Sequence, residues 1–113
     1  MDRIALTDIA QLDSIDAASH EKPVLILKHS TRCSISSAAL SRLERAWTDS
    51  DSATHTVYFL DLLRYREVSN AIADRYGIQH ESPQTLVIRN GKCVDVASHF
   101  GITYASTIAA LRP

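Results

Sequence analysis

The chain has 113 residues, 45% of them hydrophobic and 22% charged, with a formal net charge of −1. That length suits one α/β domain, 1–113, and is too short for two, while the near-neutral charge excludes the electrostatic footprint of a nucleic-acid binder or of a protein held on an anionic membrane. The sequence has no run of about twenty apolar residues, and Met1-Asp2-Arg3-Ile4 lacks the layout of a secretory signal, so a cytoplasmic protein is expected.

In chain order, Ile4 to Leu6 predicts a short edge strand, and Thr7 an N-cap for a helix in which Ile9, Leu12 and Ile15 recur at helical spacing. After Pro23, the run Val24 to Lys28 is too short and too uniformly apolar for a half-exposed strand, and reads as a buried central one. Ser34 to Trp47 predicts a second helix with Ile35, Ala39, Leu40, Leu43 and Trp47 on its buried face. The polar Asp49 to Thr54 reads as a loop, and Val57 to Leu60 as another buried strand. Tyr65, Val68, Ile72 and Tyr76 stripe a third helix closed by Gly77, which takes the left-handed conformation at little cost. Gln84 to Arg89 and Lys92 to Ser98 flank Asn90-Gly91, a pair that tolerates the positive φ of a type I′ turn, so they predict an antiparallel hairpin. Thr103 caps a last helix carrying Tyr104, Ile108 and Leu111, and Pro113 closes the chain.

Cys33 stands in His29-Ser30-Thr31-Arg32-Cys33-Ser34-Ile35-Ser36, where a predicted strand hands over to a predicted helix. A helix N-terminus carries unpaired N–H groups and the positive end of the macrodipole, which favour the thiolate, the form of sulfur that reacts. Three residues on, where a Cys-x-x-Cys motif holds its second cysteine, is Ser36. The Ser36 hydroxyl and the N–H groups of Ile35 and Ser36 are expected to hydrogen-bond the thiolate without competing for it. Exchange at such a site leaves a mixed disulfide that persists until another thiol or a reductase clears it. The bland alternative for Cys33 is a small buried hydrophobe. Cys93, in a hairpin strand far from any helix terminus, reads as structural, and two cysteines in a reducing compartment make no disulfide framework.

The remaining polar candidates divide between chemistry and scaffold. His20, His29, His55, His80 and His99 lack metal-ligand spacing, so no metal site is predicted; His29, four residues before Cys33, is kept as a modulator of the thiol. Arg32 either neutralises a thiolate or meets a carboxylate of a small thiol, or is merely solvated. Asp61, at a strand end, either holds a proton for the exchange or, the reading preferred, caps a helix beginning near Arg64. Tyr65, Tyr76 and Tyr104 sit on helical stripes and read as core.

Alternating strands and helices closed by a hairpin and a helix resemble the thioredoxin architecture, and Pro83 falls where such proteins carry a cis-proline facing the active cysteine. Taken alone, Ser82-Pro83 is expected to be trans, since X-Pro bonds are cis only about one time in twenty; the resemblance implies cis. Four segments make it specific: Lys28 to Ser36, Tyr58-Phe59-Leu60-Asp61, His80-Glu81-Ser82-Pro83-Gln84, and Ala97-Ser98-His99-Phe100-Gly101-Ile102-Thr103. In order and spacing they resemble the YtxJ family of monothiol bacilliredoxins, general stress proteins. That resemblance implies a thioredoxin-like fold, a central mixed sheet with helices on both faces. It also implies a thiol–disulfide oxidoreductase without a bound cofactor, which removes bacillithiol, a small glucosamine-malate thiol, or a similar low-molecular-weight thiol from S-thiolated client proteins. Cys33 and Ser36 would be catalytic, Arg32, Ser34, Ser82 and Pro83 would meet the substrate, and a thiol reductase would be a further partner. Many members carry proline directly after the active cysteine, where this chain has Ser34, a departure that bears on which thiol is preferred. Two rival classes are an iron–sulfur carrier, because Cys-x-x-Ser also resembles monothiol glutaredoxins, and a non-catalytic stress-response binding module with an unreactive Cys33.

Overall fold

In the computed structural model, which describes residues 1–112, the chain runs β1 (Ile4–Ala5), α1 (Gln11–Ala18), β2 (Val24–His29), α2 (Ser34–Ala46), α3 (Asp49–Thr54), β3 (Thr56–Asp61), α4 (Arg66–Tyr76), β4 (Gln84–Arg89), β5 (Lys92–Ser98) and α5 (Tyr104–Leu111), with a turn of 3₁₀ helix at His99–Gly101. Pro113 lies outside the described residues. The strands form one mixed sheet in the order β1-β3-β2-β4-β5. β2 is parallel to β3 and antiparallel to β4, so it has a neighbour on each side, and all of its residues are buried. Its alternate side chains feed two cores. Val24 and Ile26 pack with Leu12 and Ile15 of α1 and Val68 and Ile72 of α4. Leu25 packs on the opposite face with Leu43, Trp47 and Leu111 from the α2 and α5 side. The period-two alternation of a strand thus gives one short apolar segment two helical layers to bury against.

Several local expectations are corrected. Asp49–Thr54 is a helix rather than a loop, because Thr48 Oγ1 accepts the Asp51 N–H at 3.0 Å while Asp51 Oδ2 accepts the Thr48 N–H at 3.0 Å. This reciprocal capping box satisfies first-turn donors that a short polar helix cannot otherwise cover. Thr7 does not cap α1: the N-cap is Ala10, and the Gln11 side chain turns back to accept the N–H groups of Thr7 and Asp8. Ile9 and Ile35 are exposed instead of joining their helices' core stripes, and Ser36 takes the buried place on the first turn of α2. β3 is buried only at Val57 and Leu60, since the two-residue β1 covers its outer side poorly. α4 begins at Arg66 with Tyr65 as its N-cap, so the Asp61 carboxylate does not cap it; the Asp61 backbone carbonyl accepts the Tyr65 N–H instead.

The expected punctuation is otherwise in place. Gly77 closes α4 at φ 66°, Asn90 and Gly91 have φ 55° and 72° at the hairpin turn, and Thr103 Oγ1 caps α5 by accepting the Ser106 N–H. The Tyr76 and Tyr104 rings are half-buried, with their hydroxyls donating to Asp16 and Asp51. At the free edge, β5 carries a register irregularity opposite Val87 and Ile88, a device that discourages pairing with another strand.

Candidate functional site

The C-terminal end of β2 is where the sequence-predicted residues converge. Register pairs His29 with Asp61 on one side and Lys28 with Gln84 on the other, and Gln84 with Ser98 beyond it. The loop leaving β2 toward Cys33, the Pro83 that opens β4, and the turn after β5 therefore share one end of the sheet. His99, in the left-handed region at φ 53°, donates its N–H to the Pro83 carbonyl at 3.2 Å and ties that turn to the proline. Ser82-Pro83 is cis and Pro83 is buried.

Cys33 is half-buried and is the N-cap residue of the 13-residue α2. Its backbone is extended, at φ −111° and ψ 118°, and no side chain caps the helix there. Cys33 thus opens a long helix at its positive end, but the N–H groups of Ile35 and Ser36, expected to hydrogen-bond its sulfur, do not do so here. Its N–H donates to the Ser30 carbonyl at 3.2 Å, closing the loop into a turn. Arg32 and Ser34, on either side of it, are exposed.

The expected hydrogen bond from the Ser36 hydroxyl to Cys33 is not the one found. Ser36 Oγ is buried, accepts the Ser30 N–H at 3.0 Å and lies 2.7 Å from His29 Nδ1. At the third residue of α2 the side chain points back into the sheet end, where two polar groups need a partner, and it supplies one. His29 packs against Phe59, ring centroids 5.5 Å apart, and its imidazole is pushed below the ordinary histidine range by burial, against the raising influence of Asp61. Asp61 Oδ1 and Ser82 Oγ are buried without hydrogen-bond partners.

Sequence reasoning missed Lys28. It is fully buried, and among the described residues its Nζ reaches only the Ser69 carbonyl and His80 Nδ1, each at 3.3 Å. Burial pulls its ammonium down to about 8. The signal was present, a cation within a strand already read as buried on both faces. Phe100, 78% exposed on the turn tied to Pro83, was also passed over.

Cys93 lies elsewhere. It pairs with Ile88, which pairs with Val24 at the start of β2, whereas Cys33 follows the far end of that strand. Val24 and His29 stand five residue steps apart, on the order of 16 Å at about 3.3 Å per residue. Its thiol donates to the Asp95 carbonyl at 3.3 Å, and burial pushes its ionisation upward. Among the described residues no cluster of His, Cys, Asp or Glu could hold a metal ion, and no helix is long and apolar enough to cross a membrane.

With this geometry established, the model of the monothiol bacilliredoxin BrxC family matches residues 4–107. The chain belongs to that family. Among solved structures, one described as a candidate oxidoreductase with a thioredoxin fold is similar at 29% identity and a TM-score of 0.81, covering 97% of this chain and 94% of that one. Thioredoxin from Malassezia sympodialis is similar at 15% identity and TM-score 0.72, covering 98% and 88% of the two chains. Thioredoxin from Fasciola hepatica is similar at 16% identity and TM-score 0.69, covering 95% and 94%. The bacilliredoxin chain therefore has the thioredoxin fold, and membership with that fold supports a thiol redox function.

Proposed function

We propose that this is a bacilliredoxin of the YtxJ type, working in a reducing cytoplasm, that removes bacillithiol or a closely similar small thiol from client proteins through Cys33. The observation that carries the reading is Cys33 at the mouth of α2, at the Pro83 end of the sheet, with a buried serine where a resolving thiol would stand.

The exchange has two balanced steps. The Cys33 thiolate attacks the small-thiol sulfur of a client mixed disulfide; a new S–S bond forms as the old one breaks, and the client leaves as a thiolate that takes a proton from solvent. A second small thiol, or a reductase thiol, then attacks the Cys33-bound disulfide and releases Cys33 as thiolate. The rate of each step follows the ionised fraction of the attacker and the basicity of the leaving sulfur, so a helix terminus that favours the anion helps Cys33 as attacker and as leaving group. Ser36 cannot form a disulfide, so Cys33 holds the small thiol until a partner removes it. Exposed Arg32 and Ser34 flank the sulfur, where a dicarboxylate such as the malate group would lie, and the backbone at Ser82 beside Pro83 offers an edge to an extended client segment.

Intact mass after separate incubation with oxidised bacillithiol and oxidised glutathione tests the assignment. One adduct on Cys33, formed faster with bacillithiol and released from an S-bacillithiolated client by the wild type but not by Cys33→Ser, is the expected result. No adduct, or an adduct confined to Cys93, would remove the proposal.

A further inference from the structure

The hydrogen bonds of Ser36 admit one arrangement that leaves no buried group idle. Ser36 Oγ accepts the Ser30 N–H at 3.0 Å, and the acceptor within reach of its own hydrogen is His29 Nδ1 at 2.7 Å. Ser36 is 1% exposed and His29 7%, so bulk solvent does not substitute for either partner. In this state the imidazole is neutral, with its proton on Nε2. A proton added to the ring goes to Nδ1, which then becomes a donor to Ser36 Oγ. The serine oxygen now accepts from both His29 and Ser30, and its hydrogen must turn to a new acceptor. Cys33 is the N-cap of α2 and Ser36 the third residue of its first turn, positions whose side chains lie within reach of each other. No bond joins the two in the neutral state, and Cys33 makes no side-chain cap, so its sulfur is the acceptor that the turned hydroxyl is inferred to meet.

We propose that His29 is a positioning residue which, on gaining a proton, turns the Ser36 hydroxyl away from itself and toward the Cys33 sulfur, so that thiolate and imidazolium stabilise each other through Ser36. The inference rests on Cys33 being the reacting sulfur and adds a regulator to that site. When the Cys33 disulfide forms, the anionic acceptor vanishes, the Ser36 hydrogen returns to Nδ1, and His29 gives its proton to solvent. When an incoming thiolate breaks that disulfide, the proton is taken up again and the hydroxyl meets the departing sulfur.

Burial is the largest influence on His29 and opposes such a charge, so the imidazolium depends on its acidic neighbours and on the Cys33 thiolate. Arg3 adds to that opposition, while Asp61, its register partner on β3, and Glu44 on α2 favour the imidazolium. Asp61 Oδ1 is buried and unpartnered, an acceptor held beside the ring that gains the charge. A purely structural Ser36–His29 bond gives that carboxylate oxygen no use.

The test follows His29 by long-range proton–nitrogen NMR correlations through a pH titration of Cys93→Ser protein, with Cys33 either free or capped as its methyl disulfide by methyl methanethiosulfonate. The Nε2–H tautomer is expected at high pH. The His29 midpoint is expected to lie about one pH unit higher with Cys33 free than capped, the roughly tenfold effect of one charge-assisted hydrogen bond. In Ser36→Ala that difference should fall by at least about half, leaving only the through-space attraction. An Nδ1–H tautomer, equal midpoints in the two forms, or a difference fully retained in Ser36→Ala would overturn the relay. If Ser36→Ala does not fold, the tautomer and the midpoint difference in the protein with Ser36 intact decide the matter. Bacillithiol uptake by Cys33 without a His29 shift refutes the relay alone, whereas absence of uptake removes the proposed function and the relay with it.

Discussion

Replacing Lys28 by methionine should make the protein more stable at neutral pH, although it deletes a fully buried side chain with hydrogen bonds to Ser69 and His80. Among the described residues no carboxylate lies within ion-pair distance of Nζ. Burial lowers the ammonium from 10.5 to about 8, a difference of about 2.5 units at roughly 1.4 kcal/mol each, or on the order of 3 kcal/mol of destabilisation while the group is charged in both states. Below about pH 8 that cost is present in full. Between about pH 8 and 10.5 the unfolded chain holds a proton that the folded one has released, so stability rises with pH. Methionine fills a similar volume without a charge, and the lost hydrogen bonds offset about 1 kcal/mol, so a net gain of about 1–2 kcal/mol is expected at pH 7. Urea unfolding of wild type and Lys28→Met at several values from pH 7 to 10 measures it. The advantage of the variant should shrink steadily above pH 8, since titrations common to both proteins, including Cys93 and Tyr76, cancel in the difference. A difference that stays constant with pH, or grows, would refute the claim that Lys28 is charged and uncompensated in the folded protein.

Three further outcomes follow from the geometry. A limiting alkylating reagent at near-neutral pH should modify Cys33 faster than Cys93, because burial holds the latter as a thiol; equal rates, or a faster Cys93, measured by peptide mass mapping, would contradict the site. Mild oxidation should produce no Cys33–Cys93 bridge, since bonded cysteines need α-carbons within about 7 Å and these stand at opposite ends of the strands; a substantial bridge on a non-reducing peptide map would show that the sheet end is misplaced. Thr48→Ala, which removes the side-chain half of the α3 capping box, should cost about 1 kcal/mol in urea unfolding, whereas a neutral effect would mean that α3 is held by packing and not by its cap.

Periodicity and turn chemistry determined most of the scaffold. The Val24 to Lys28 run read as a central strand, Asn90-Gly91 as a tight hairpin turn, and Gly77 as a helix end, because each of these features answers to local sterics and to burial within a few residues. The position of Cys33 at the mouth of α2 was legible for the same reason. What only the tertiary structure decided was which way polar side chains face and what they meet. Ser36 is committed to His29 and Ser30, Asp61 leaves an oxygen unpartnered instead of capping a helix, Lys28 is buried beside His80, and Ile35 looks outward. Those outcomes depend on partners 6 to 52 residues away in the chain, brought together by strand register at the end of β2. A hydrogen bond between distant side chains leaves no periodic trace in the sequence, because either partner could have found water instead until the sheet and α2 closed over them.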